Sequence, residues 1–194
     1  MPSRGVLART QRRGARTREG NLSLDLVTLV AVLPGSFDPL TIAHVTMADA
    51  ARAHLGITDD VRIHLAMSID PLGKDPDQQQ PVATRRAEIE ASTAHLDWIE
   101  VTVREARLVV ELAAGYDRVI VGADKWRQLH DPRYYSDERA LNDAMERLCP
   151  AVVFRRPGHQ VHALRSLDTV LDLPAEVRPV SSTGVRAGRR EWRY

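Results

Sequence analysis

Short aliphatic runs alternate along this chain with stretches of helical periodicity, and this alternation constrains the fold more than any other feature. Several runs are hydrophobic at consecutive positions, which is typical of parallel strands covered on both faces. The runs occupy residues 26–33, 61–67, 98–103, 118–122 and 151–154, with a weaker sixth at residues 177–180. Helical patterns occupy residues 43–55, 82–95, 105–115 and 137–148. We therefore predict an α/β fold, a Rossmann-like, doubly wound parallel sheet of about five strands with helices on both faces.

Four loops of the predicted sheet are expected to converge. In an open parallel sheet, ligands bind beyond the carboxyl ends of the strands. The loops that follow predicted strands at that edge are residues 34–44, 68–74, 122–126 and 155–158. Residues 70–81 form the one long polar stretch and predict a mobile loop.

The size and composition of the chain fit a soluble protein with one domain and a tail. It has 194 residues, of which 43% are hydrophobic and 27% charged. Residues 1–20 carry six arginines against one acid and have almost no apolar content. We predict a disordered Arg-rich N-terminal tail over residues 1–22 and a single domain over residues 23–194.

Several classes of protein are disfavoured by the same composition. No apolar run approaches the roughly 18 residues that would span a bilayer, and the tail lacks the apolar core of a secretory signal. A lone cysteine, Cys149, excludes an internal disulfide and fits a cytoplasmic location. A net charge of +1 makes nucleic acid an unlikely partner for the whole molecule. Weak phosphate binding by the tail is an alternative, and a homo-oligomer stays open.

The stretch PGSFDPLTIAH after the first run suggests a phosphate site. Gly35 lets the backbone approach a ligand closely, and Ser36 offers a hydroxyl. Phe37 is expected to pack under the loop. Thr41 is a good N-cap, which places His44 in the first helical turn, where it can donate to phosphate oxygens. The alternative is an ordinary strand–turn–helix junction with a surface histidine.

The whole string resembles the first signature of the nucleotidyltransferase superfamily of adenylyltransferases and cytidylyltransferases. That signature is a strand, G-(S/T/R)-F-D-P, then (H/T)-x-G-H at a helix start. Thr41 stands at the position of the first histidine and His44 at that of the second. Ala43 replaces the usual glycine, which the resemblance places close to the bound adenine.

A second stretch resembles the C-terminal signature of the same superfamily, I-S-S-(S/T)-x-(I/V)-(R/K). Here it is VSSTGVR, ending at Arg186. By this resemblance Ser181, Ser182 and Thr183 face the ATP phosphates from a helix start, and Arg186 supplies a fork for phosphate oxygens. Together the two signatures imply that the folded part of the chain, over about residues 27–187, is a nucleotidyltransferase domain.

Other motifs divide between two members of the superfamily. Gly122 and Asp124 resemble the G-x-D of nicotinate and nicotinamide mononucleotide adenylyltransferases, and residues 154–158 resemble their R-P-G. Arg86 matches the arginine of the helix after their mobile loop, and Lys74 corresponds to the lysine of that loop. By contrast, PGSFDP with Thr41 is the phosphopantetheine adenylyltransferase form. The R-G-(L/V)-R motif of that enzyme is replaced here by GADKW.

The resemblance implies direct adenylyl transfer from ATP to the phosphate of nicotinate or nicotinamide mononucleotide. Phosphopantetheine is the alternative acceptor, and another adenylyl or cytidylyl acceptor of the superfamily also stays open. It assigns catalysis to Thr41, His44, Lys74 and Arg186. Nucleotide binding falls to Gly35, Ser36, Phe37, His44, Gly122, Asp124, Ser181, Ser182, Thr183 and Arg186. Magnesium would be held by phosphate oxygens and water, so a protein metal cluster is not expected.

Departures from the pattern leave other hypotheses open. The tryptophan that helps hold the base in bacterial nicotinate enzymes is absent, although Tyr134 or Tyr135 could stack on a base instead. Ala43 and the short segment after Arg186 motivate the hypothesis of a nucleotide-binding module without turnover. A third hypothesis is nucleic-acid association through the arginine tail.

Overall fold

The computed structural model describes residues 28–56, 60–70 and 79–194. Within this part of the chain a parallel sheet of six strands has the order β3-β2-β1-β4-β5-β6. The strands are β1 Leu29–Pro34, β2 Val61–Ser68, β3 Ile99–Arg104, β4 Arg118–Gly122, β5 Ala151–Phe154 and β6 Thr169–Leu171. The predicted Rossmann-like fold is confirmed, with six strands where about five were expected.

Helices cover both faces of the sheet. They are α1 Ile42–Leu55, α2 Val82–Thr93, α3 Val109–Leu112, α4 Ala123–Leu129, α5 Glu138–Arg147 and α6 Ser182–Arg186. Short 3-10 turns occupy Pro132–Tyr134 and Arg190–Trp192. The helix α4 was not predicted, because only seven residues separate Gly122 from His130 and too little periodicity is visible over that length.

Two sequence predictions about elements are wrong in position. Residues 177–180 do not form the sixth strand, which lies at Thr169–Leu171. Val177 and Val180 are buried in a turn instead, where the Val177 N–H donates to the Pro174 carbonyl at 3.0 Å. The helix predicted at residues 105–115 is one turn, because the Glu111 carboxylate accepts from the N–H of Leu108 at 2.9 Å and starts the helix late.

The core lies in two layers, one on each side of the sheet. One layer packs α1 and α2 against the strands, through residues such as Met47, Ile63 and Ile89. The other packs α3, α4 and α5, through Trp126 and Ala144 among others. The chain turns to opposite sides of the sheet between β1 and its two neighbours, β2 and β4. This switch point is where a doubly wound sheet opens a crevice for ligands.

Some predictions cannot be compared with the structure. The predicted tail lies within residues 1–27 and Lys74 within residues 71–78, outside the described residues. The domain boundary at residue 23 stays a prediction for the same reason. No helix in the described ranges combines the length and the apolar character that crossing a bilayer requires.

Candidate active site

A cavity of about 240 Å³ opens at the switch point, beyond the carboxyl ends of β1 and β4. It brings together both predicted signatures and the G-x-D motif. Eight predicted site residues line it, namely Gly35, Ser36, His44, Gly122, Asp124, Ser181, Ser182 and Thr183. Residues from opposite ends of the chain therefore share one wall, as the convergence of strand ends requires.

Phe37 supports the first loop from below. Its side chain is 1% exposed and does not line the cavity, although the sequence placed it among nucleotide-binding residues. A Cβ added to Gly35 would come within 2.7 Å of the Phe37 ring, so glycine is required for this close packing. The Phe37 ring also meets the His44 ring edge-on, at a centroid distance of 5.1 Å. Phe37 thus positions the loop and the imidazole together.

The tautomer of His44 is set by a hydrogen bond at the N-terminus of α1, the helix that carries it. The backbone N–H of Thr41 donates to His44 Nδ1 at 3.1 Å, so this nitrogen must be unprotonated. The neutral imidazole then carries its proton on Nε2. Because the ring lines the cavity and Nδ1 is already occupied, Nε2–H is the group that can donate to a ligand there. Thr41 itself is fully buried, and its Oγ1 lies 2.9 Å from Nδ1. Thr41 therefore orients the histidine from behind and does not line the cavity.

Burial keeps His44 neutral. Desolvation and the nearby Arg156 cation lower the pKa of His44 from 6.5 to about 4, with Asp124 acting in the opposite direction. At neutral pH the side chain is therefore a neutral Nε2–H donor, suited to a phosphate oxygen.

This shift predicts a pH dependence of stability. Above about pH 6.5 the imidazole is neutral in the folded and the unfolded chain, so it adds no pH dependence. As the pH falls toward 4, the unfolded chain takes up the proton first, and the free energy of unfolding should fall by up to about 3 kcal/mol. Urea unfolding at pH 7.5 and pH 5 should show about 2 kcal/mol of this loss in the wild type, by the same linkage. Burial also lowers the pKa of His64, which contributes a loss in both proteins, so His44→Gln should lose about 2 kcal/mol less than the wild type. An equal loss in both proteins would contradict the shift at His44.

The second signature is bound to the first by direct hydrogen bonds. Ser181 caps α6, since its Oγ accepts from the Gly184 N–H at 3.1 Å. The Ser182 hydroxyl donates to the Pro39 carbonyl at 2.8 Å, which leaves its oxygen only as an acceptor. Thr183 Oγ1 accepts from Arg186 at 3.3 Å, so its hydroxyl proton remains available to a ligand. The hydroxyl of Ser182 therefore joins the loops, whereas those of Ser181 and Thr183 can donate to phosphate.

Arg186 lies beside the cavity and does not line it. Its guanidinium donates to the Asp38 carbonyl and lies 4.0 Å from the Asp38 carboxylate. The side chain is 41% exposed in a neighbouring depression, formed with Arg190 and Arg193 among others. Its contact with Thr183 keeps it next to the cavity wall. Its predicted role at the triphosphate stays a prediction. In this structure Arg186 binds the first loop through Asp38.

Arg156 was noted in the sequence as part of R-P-G but given no role. The structure places it in the cavity wall with 16% of its side chain exposed. It donates to the Val180 carbonyl at 2.8 Å, directly before the second signature, and its Nε lies 3.6 Å from Asp124. That Nε–H is buried without a hydrogen-bond partner among the described residues. Arg156 is thus a fixed cation shared by β5, α4 and the second signature.

The helix after the polar loop contacts the first signature through Arg85, the residue before the arginine that was matched from the sequence. Arg85 is 2% exposed and donates to the carbonyls of Ser36 and Gln80. Arg86 instead points outward and pairs with Glu90 at 2.7 Å. Helical periodicity does not separate two adjacent arginines unless the buried face is known.

The far end of the cavity differs in character. It is lined by apolar side chains of α3 and α4, by the half-buried rings of Tyr134 and Tyr135, and by the cations Arg107 and Lys125. Tyr135 is anchored, because its hydroxyl donates to the Leu129 carbonyl at 2.8 Å. Lys125 donates to Gln128 at 2.6 Å, and Arg107 pairs with Asp70 at 2.9 Å. This end therefore offers aromatic and apolar side chains together with basic groups.

Comparison with known proteins agrees with this geometry. A family model described as cytidylyltransferase-like matches residues 32–188. A phosphopantetheine adenylyltransferase of Limosilactobacillus fermentum is 29% identical over 127 residues, covering 64% of this chain and 66% of that protein. The chain thus spans just under two thirds of that relative's length.

A solved structure shares the fold. Plasmodium falciparum nicotinic acid mononucleotide adenylyltransferase complexed with APC has a TM-score of 0.58 to this chain at 12% identity. The match covers 82% of this chain and 83% of that one. Since the family model spans most of the chain and includes both signatures, the protein belongs to the cytidylyltransferase-like family of the nucleotidyltransferase superfamily.

Proposed function

We propose that the protein is an adenylyltransferase that transfers AMP from ATP to the phosphate of nicotinate or nicotinamide mononucleotide and releases pyrophosphate. The observation that carries this proposal is the single cavity lined by His44, the first loop and the serines of the second signature. Its walls offer neutral donors and a fixed cation, which are the groups that phosphoryl-type transfer requires. The family membership supports the same class of reaction.

The reaction needs no protein nucleophile. A phosphate oxygen of the acceptor attacks the α-phosphorus of ATP in line, and the bond to the bridging oxygen of pyrophosphate breaks. His44 Nε2–H and the hydroxyls of Ser181 and Thr183 would donate to phosphate oxygens. Arg156 would offset the negative charge that collects between the two loops. Catalysis is then positioning together with charge stabilisation.

Magnesium fits this scheme as a partner of the nucleotide. Among the described residues there is no group of three or more His, Cys, Asp or Glu side chains that could hold a metal ion. Of the residues that the structure describes, Asp124 is the one carboxylate that lines the cavity, and it faces Arg156 at 3.6 Å. Mg²⁺ would therefore bind mainly to triphosphate oxygens and water, where it screens their charge.

The far end of the cavity supports a nucleotide acceptor. The rings of Tyr134 and Tyr135 and the apolar side chains of α3 and α4 suit a planar base. The cations of Arg107 and Lys125 suit an acidic group on the acceptor. The second candidate acceptor is phosphopantetheine, because a phosphopantetheine adenylyltransferase is the 29% identical relative.

A pyrophosphate-release assay tests the proposal. Purified protein with ATP and Mg²⁺ is offered nicotinate mononucleotide, nicotinamide mononucleotide, phosphopantetheine or a simple phosphorylated alcohol, one at a time. We expect release with a mononucleotide and a dinucleotide product of matching amount by mass spectrometry. Release with phosphopantetheine alone would replace the proposed acceptor. ATP binding without product from any acceptor would support the module without turnover.

A further inference from the structure

Residues 190–194, here called the strap, contact the first signature, the second signature and α2. Arg193 forms an antiparallel bridge with Thr41, and the Tyr194 N–H donates to the Leu40 carbonyl at 3.2 Å. These bonds attach the strap to the backbone that orients His44. From the sequence, the segment after Arg186 was notable only for its shortness.

Trp192 joins the strap to the second signature. A Cβ added to Gly184 would overlap the Trp192 ring, so the indole lies directly on the backbone of α6. That backbone includes the Gly184 N–H that Ser181 caps. The Arg189 guanidinium covers the indole at 4.3 Å from the ring centroid. The indole therefore sets how closely the serine turn approaches the rest of the molecule.

The other end of the strap is fixed to α2. Arg193 pairs with Glu88 at 3.0 Å, and the Tyr194 hydroxyl lies 3.1 Å from His95 Nε2. The Tyr194 and His95 rings stack with an interplanar angle of 18°. Since α2 also carries Arg85, which holds the first loop, the strap has a firm base from which to position that loop.

We infer that Trp192 is a positioning residue for ATP, because the strap fixes the distance between the two loops that face the triphosphate. The inference rests on the proposed function. Trp192 does not line the cavity, so its effect acts through Gly184 and Thr41. Losing it should release the second loop, weaken ATP binding and leave the acceptor end unaffected, since no hydrogen bond, ion pair or ring contact joins Tyr134 or Tyr135 to the strap.

The test measures MgATP binding by calorimetry and the KM of each substrate separately. Trp192→Ala should raise the Kd and KM for ATP about 10-fold, in line with the cost of small displacements in a positioned site. The KM of the acceptor should change less than about 2-fold, because the far end of the cavity keeps its geometry. Trp192→Phe should recover most of the ATP affinity. Leu167→Ala, at a side chain 68% exposed elsewhere, is the matched control and should behave as wild type.

A double mutant separates positioning from general loss of packing. Gly184→Ala should also weaken ATP binding about 10-fold, because the new methyl group forces the indole and the turn apart. If both act through one contact, Gly184→Ala with Trp192→Ala should be no worse than either alone, whereas independent effects would multiply to about 100-fold. Melting curves without ligand exclude unfolded variants.

The outcomes separate the two proposals. Wild-type protein that binds MgATP but yields no dinucleotide would contradict the proposed reaction. The ATP Kd of Trp192→Ala, compared with that of the wild type, would still test the inference about the strap. An ATP Kd within about 2-fold of wild type in Trp192→Ala would overturn the inference and leave the proposed function intact, since a displaced loop should cost more than that. Equal loss of affinity for ATP and acceptor would overturn it as well. Wild-type protein without ATP affinity would contradict both.

Discussion

His44→Ala should slow pyrophosphate release at saturating ATP and acceptor by about 100-fold or more, the usual cost of removing one charge-stabilising donor. The mutation removes the Nε2–H that lines the cavity, and it also leaves the Thr41 N–H without its acceptor. The effect should appear in kcat, because charge on the phosphate oxygens grows in the transition state. Pre-steady-state and steady-state rates of pyrophosphate release would measure it.

Two further variants sharpen this test. Glutamine at position 44 can accept from the Thr41 N–H through Oε1 and donate to the cavity through its amide nitrogen, so His44→Gln should lie between wild type and alanine. His64→Ala is the matched control, since His64 contacts Tyr116 and Glu100 and does not line the cavity. Unchanged release in His44→Ala would remove the histidine from the mechanism.

The main lines of the fold were accessible from the sequence because they depend on local patterns. The first five strands follow from aliphatic runs that both layers of the core require. The sixth did not, because Val177 and Val180 are as apolar as strand residues yet pack from a turn, while Thr169–Leu171 is a short, half-buried edge. Periodicity reports that a residue is buried and does not report by which element.

The site was predictable where one motif fixes local geometry and unpredictable where contacts span the chain. Gly35, His44 and Ser181 lie in the cavity because strand–turn–helix junctions direct them to the strand ends. Arg156 donates to the carbonyl of Val180, which is 24 residues away. The position of Arg156 in the site depends on the order of the strands in the sheet and not on a local motif. Arg186 satisfies the motif but bonds to Asp38, since side-chain partners depend on the neighbouring loop.

Arg85→Met should lower the free energy of unfolding by about 3 kcal/mol, the scale expected when one partner of a buried polar contact is removed. The guanidinium is buried beside the Asp38 carboxylate and donates to the carbonyls of Ser36 and Gln80. Methionine fills much of the same volume, so the loss reflects the missing hydrogen bonds and charge. Because Ser36 belongs to the first loop, ATP affinity should fall in the variant even where it remains folded.

Arg86→Met is the matched control for this variant. The two arginines are neighbours on α2 with the same chemistry, but Arg86 is 51% exposed and pairs with Glu90 on the surface. Such pairs contribute about 0.5 kcal/mol, so its stability and ATP affinity should stay close to wild type. Urea unfolding of both variants decides the assignment. A larger loss in Arg86→Met than in Arg85→Met would contradict the contact between α2 and the first loop.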